Sequence, residues 1–91
     1  MISYTINDNL FHQKNDEGIF ILSPKGETII LKDEVACTIF DLFNLNETMT
    51  LSKIYEILRG KFSIPVEDGE FENDIVSFIQ TLIGYQVIKG L

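Results

Sequence analysis

What the chain lacks narrows its function more than what it has. Its 91 residues include one cysteine, one histidine, two prolines and no tryptophan. A single cysteine, Cys37, excludes an internal disulfide and any multi-cysteine zinc site. The longest unbroken apolar run is four residues, Ile19 to Leu22, far short of the roughly 18 that span a membrane. The opening MISYTINDNL lacks the basic-then-apolar pattern of a secretion signal, so a cytoplasmic protein with no membrane association is expected. Bases are scarce: seven against 14 acids, a net charge of −7. That sign repels phosphate backbones and disfavours nucleic acid as a partner. No phosphate-binding glycine loop of the P-loop or dinucleotide type occurs.

The chemistry-bearing side chains are equally thin. His12 has no Asp, Cys or second His at ligand spacing and reads as a structural or solvated residue. Cys37, beside Ala36, reads as a small semi-buried residue. The acidic segment EDGEFEND lacks the order of a calcium loop, and helix capping accounts for it. No metal, cofactor or catalytic residue is expected, and the composition favours a small binding protein over an enzyme.

Apolar residues are 45% of the chain, enough for one thin core, and no linker or repeat divides it. Residues 1–91 are therefore expected to form a single domain. Ile2, Tyr4 and Ile6 alternate with polar residues at the strand period. Leu10 to Lys14 and Gly18 to Leu22 read as further strands joined by Asn15-Asp16-Glu17-Gly18. Ser23-Pro24-Lys25-Gly26 suits a type I turn, since proline pre-sets φ at its second position. Thr28 to Leu31 then reads as a strand pairing back on Gly18 to Leu22, with apolar side chains on both faces.

After Leu31 the period becomes helical. Val35, Ile39 and Leu42 run beside Ala36, Phe40 and Phe43, with Asp33 as N-cap and Asn44 or Asn46 as a left-handed end. A second helix is expected from Leu51 to Phe62, capped by Thr50, with Arg59 and Lys61 at its cation-favouring end. Ile64-Pro65 breaks the chain. A third should run from Glu70 to Ile83 and stop at Gly84. Glu67, Asp68, Glu70, Glu72 and Asp74 lie at its N-terminal end, where the dipole favours anions. Its apolar residues from Phe71 to Ile83 cover an arc of about 160°, against about 100° for an ordinary surface helix. Three or four strands followed by three helices give an α+β domain.

Two elements carry more apolar surface than a small core requires: the strand Thr28 to Leu31 and the helix Phe71 to Ile83. An open strand edge beside a greasy helix suits a visiting extended peptide, which adds a strand and places alternate side chains in pockets.

The segments SPKGETIILKDEVACTIFDLFN, LSKIYEILRGKF and NDIVSFIQTLIGYQVIKG resemble the PqqD-like family, the recognition elements of ribosomally made, post-translationally modified peptides. The resemblance runs from about Gly18 to the C-terminus and rests on apolar patterns. The family's strand ending in leucine before a helix matches Ile29-Ile30-Leu31, then Asp33 to Phe43. Its aliphatic third helix matches Ile75, Phe78, Ile79, Leu82 and Gly84, with Val87 and Ile88 beyond. The sequence departs at Lys32, often asparagine in the family, and at Asn44-Leu45, where the family has Asp-Gly.

The resemblance implies a winged-helix-like domain, a three-stranded antiparallel sheet followed by three helices. It implies binding of a precursor's leader peptide as an added strand between the third strand and the third helix. Glu27, Thr28, Ile29, Ile30 and Leu31 would supply the strand edge, and Phe71, Ile75, Phe78, Ile79 and Leu82 the apolar contacts. Chains of this length resemble the stand-alone proteins of lasso-peptide pathways, which present the precursor to a separate leader peptidase and cyclase; others serve radical-SAM-type modifying enzymes. The alternative compatible with the element order is a winged-helix DNA-binding regulator. That reading needs a basic recognition helix, whereas Glu70 to Ile83 has no Lys or Arg.

Overall fold

A computed structural model describes residues 2–46, 48–65 and 67–91. In chain order the elements are β1 (Ser3–Ile6), β2 (Phe11–Asn15), β3 (Gly18–Leu22), β4 (Thr28–Leu31), α1 (Glu34–Leu45), β5 (Met49–Thr50), α2 (Leu51–Phe62), α3 (Gly69–Gly84) and β6 (Ile88–Gly90). The architecture is α+β, with antiparallel sheets and three helices.

Two tight turns build the first sheet. The Asn15 side chain accepts from the Glu17 N–H at 2.8 Å in the β2–β3 turn. In the β3–β4 turn the Gly26 N–H donates to the Ser23 carbonyl and the Ser23 N–H to the Glu27 carbonyl, both at 2.9 Å. Gly26 takes φ +85, so the Ser-Pro-Lys-Gly turn closes as a three-residue hairpin loop with a bulge, a form that needs a residue at positive φ after the turn. The sheet order is β2-β3-β4.

A second sheet corrects the expectation of one. β1 stands between β5 and β6, pairing Tyr4 with Met49 on one side and with Gly90 on the other. Strands of two and three residues carry too few alternations for a period to be read from sequence, so β5 and β6 were invisible there.

The helix N-termini lie where the capping residues place them. Asp33, Thr50 and Asp68 accept from the N–H groups of Ala36, Lys53 and Phe71 at 3.0, 3.2 and 3.2 Å. The C-terminus of α2 falls at Phe62 as expected, but those of α1 and α3 differ. Asn46 is extended, and its side-chain amide donates to the Leu42 carbonyl at 2.7 Å instead of turning left-handed. Gly84 stays helical, and Gln86 at φ 61 makes the left-handed turn. There the Val87 and Gln86 N–H groups close on the Leu82 and Ile83 carbonyls at 2.9 Å, a Schellman pattern that starts the path into β6.

The core gathers Ile19 and Ile21 of β3, Ile39, Phe40 and Phe43 of α1, Ile54 and Leu58 of α2, and Ile79 and Leu82 of α3, each at most 1% exposed. At about 1.5–3 kcal/mol per buried large apolar side chain, this layer between sheets and helices supplies most of the stabilisation.

Candidate functional site

The edge of β4 is open. In the order β2-β3-β4 it has one neighbour, and among the described residues no strand pairs with its other side. The N-terminal strand β1 does not fill that edge; it pairs with β5 and β6. The register tells which groups face outward. Starting from the Ser23–Glu27 bond and alternating along the antiparallel ladder, Ile29 and Leu31 exchange hydrogen bonds with Ile21 and Ile19. The N–H and C=O groups of Thr28 and Ile30 therefore point to the free edge.

Two contacts tie α3 to the segments that flank β4, its C-terminal end to the turn before the strand and its first half to the start of α1 after it. At the turn end, Lys25 Nζ donates to the Gly84 carbonyl at 3.5 Å. At the other end a groove of about 270 Å³ is lined by Asp33, Val35, Ala36 and Ile39 from the start of α1, and by Asp74, Ile75 and Phe78 from α3. Five of its seven lining residues are apolar; the other two are carboxylates, and no base lines it.

The sequence-derived site residues divide between surface and core. Thr28 is exposed and Ile30 is 45% exposed on the outer sheet face, while Ile29 is half-buried and Leu31 buried on the inner one. Glu27 is exposed, but its N–H donates to Ser23 Oγ at 3.1 Å and its carbonyl accepts from Ser23, so its backbone belongs to the turn. Ile75 and Phe78 line the groove. Phe71 turns toward α2 instead, edge-on to Tyr55 at 6.1 Å and beneath the Arg59 guanidinium. Ile79 and Leu82 are 1% exposed and serve the core. Sequence reasoning missed the α1 contribution, Val35, Ala36 and Ile39. The signal was present: two adjacent apolar stripes on α1 form a face as over-wide as that of α3.

Elsewhere the chemistry is quiet. The His12 ring packs edge-on against Phe40, centroids 5.1 Å apart. Cys37 Sγ donates to the Leu31 carbonyl at 3.2 Å, and burial, then the nearby Asp41 charge, push its thiol pKa up, away from nucleophilic use. A wider hollow of about 380 Å³ lies by the β2–β3 turn, where Lys14, Lys32 and Lys61 are interspersed with Asp16, Glu17, Glu34 and Asp41. Lys14 pairs with Asp41 at 2.9 Å there, so its charges are largely mutually compensated. Among the described residues no three His, Cys, Asp or Glu side chains are placed to hold a metal ion, and no helix is long and apolar enough to cross a membrane. No protein family, curated protein or solved structure matches the chain.

Proposed function

We propose that this chain is a non-catalytic, cytoplasmic peptide-recognition domain. It binds the leader segment of a ribosomally made precursor as a fourth strand on β4 and presents it to a separate enzyme. The resemblance to the PqqD-like family points to a leader peptidase and cyclase of the lasso-peptide type, or to a radical-SAM-type enzyme. One observation carries the reading: Thr28 and Ile30 leave their backbone groups on a free strand edge, and an apolar groove opens between α3 and the start of α1, the helix that directly follows that strand. Main-chain bonds would fix the register, and alternate side chains would meet Ile75, Phe78 and Ile39. Two or three apolar anchors at about 1.5–3 kcal/mol each, offset by ordering a flexible leader, give sub-micromolar to micromolar affinity. The DNA-binding reading gains nothing, because α3 carries no Lys or Arg.

The test is a titration of fluorescently labelled precursor from the reading frame adjoining that of this chain. Saturable binding that requires the leader, and that Ile30→Pro abolishes, is expected. Equal binding of the core segment alone would overturn the proposal.

A further inference from the structure

We infer that the groove selects a peptide with an apolar residue and, two positions away, a lysine or arginine held by Asp33 and Asp74; this rests on the peptide-binding reading above.

The argument begins with the composition of the lining. Val35, Ala36, Ile39, Ile75 and Phe78 make an apolar floor, and Asp33 and Asp74 supply its only charged groups. Both aspartates are exposed, so each stays solvated at the lip. Asp33 spends one oxygen, Oδ2, on the Ala36 N–H at 3.0 Å, which leaves Oδ1 for a guest. The neighbouring cations are engaged or placed elsewhere. Lys25 reaches Gly84 at the C-terminal end of α3, and Lys32 lines the hollow near the β2–β3 turn. A guest side chain that is only apolar therefore leaves two like charges unneutralised at the mouth, while a guest cation offsets both.

The spacing follows from strand geometry. In an added strand, neighbours point to opposite faces and residues two apart share a face, about 7 Å from each other. A residue next to the anchor would lie on the outer face beside Ile30. A residue two positions away lies on the groove side, where the long stem of Lys or Arg reaches the lip while its methylenes cover apolar surface. Exposed ion pairs are individually weak, so the cation contributes specificity of about three- to tenfold in Kd rather than the bulk of affinity. The net charge of −7 adds attraction at long range that salt screens.

The experiment pans a phage-displayed library of random twelve-residue peptides against the full chain. Peptides from the enriched clones are then titrated against the wild type, Ile30→Pro, Asp33→Asn, Asp74→Asn and the double variant with both aspartates changed to Asn. Asn caps a helix as well as Asp, so Asp33→Asn keeps α1 intact. The enriched peptides are expected to carry Lys or Arg two positions from an apolar residue. Changing that cation to Gln should weaken binding three- to tenfold in the wild type and hardly at all when both aspartates are Asn. Enriched apolar peptides with no basic bias, or a Gln cost unchanged in the Asn variants, overturn this inference alone. No enriched peptide, or binding indifferent to Ile30→Pro, overturns the peptide-binding reading and this inference with it.

Discussion

A β-carbon on Gly18 would stand 2.2 Å from the carbonyl oxygen of Leu31. Gly18 also sits at φ +140, a conformation that side chains rarely adopt. The end of β4 is therefore laid directly against the start of β3, and this close approach sets where the open edge begins. Gly18→Ala must push the Leu31 backbone away while straining its own. It should cost about 2 kcal/mol or more, read as a lowered urea midpoint with unchanged slope. A loss below about 0.5 kcal/mol would mean that the strand ends shift freely.

Neighbouring residues of β4 should respond oppositely to proline. The Ile29 N–H belongs to the ladder with Ile21, so Ile29→Pro removes a buried strand bond and should destabilise by about 2–4 kcal/mol. The Ile30 N–H faces the free edge, where proline is tolerated, and Ile30→Pro should cost under about 1 kcal/mol. Chemical denaturation of the two variants checks this. Similar losses in both would place the outward groups on the other residues of the strand.

The residues that were legible in sequence are those whose signal is local. Asp33, Thr50 and the Ser-Pro-Lys-Gly turn act within four residues, and each does what its side chain dictates. The Thr28 to Leu31 strand was readable because β-branched residues crowd into a short run between turn residues. The second sheet was not, because Tyr4 meets Met49 and Gly90 across long stretches of chain. The end of α2 at Phe62 was also readable, whereas that of α3 misled for another reason. Ser63 and Gln86 accept the left-handed conformation since Schellman bonds to the Arg59 and Leu82 carbonyls outweigh the strain, while the glycine nearest the end of α3 stays helical. On α3, periodicity gave the apolar arc but could not apportion it. Only packing reveals that Phe71 serves α2, Ile79 the core and Phe78 the groove.

Arg59 ties α2 to α3 by more than charge. Its guanidinium bonds Glu72 and lies over the Tyr55 and Phe71 rings at 5.8 and 5.5 Å. The Arg59 side chain is 22% exposed and that of Glu72 44%, so the pair is only partly desolvated. Packing and ring contacts should then outweigh the ion pair. Arg59→Ala is expected to cost about 1–3 kcal/mol, Arg59→Met less, and Glu72→Gln under about 1 kcal/mol. A double-mutant cycle checks the ordering; a Glu72→Gln loss equal to that of Arg59→Ala would make the ion pair dominant.

Cys37 should behave as a half-buried neutral thiol. Burial, reinforced by the Asp41 charge, raises its pKa above the ordinary thiol value, and its S–H donates to the Leu31 carbonyl. The fold thus favours the protonated form, and the unfolded chain ionises first as pH rises. The stability this contributes is full below the ordinary thiol range and is lost as pH climbs through the raised value. Iodoacetamide should accordingly modify the native protein more slowly near pH 8 than the urea-unfolded chain, with the native rate rising only at higher pH. Between pH 7 and 10 the urea midpoint should fall more steeply for the wild type than for Cys37→Ala, which has no thiol to ionise. Equal alkylation rates in the native and unfolded chains, with parallel midpoint curves, would mean that the thiol opens to solvent and that its bond to Leu31 does not hold the start of α1 against the end of β4.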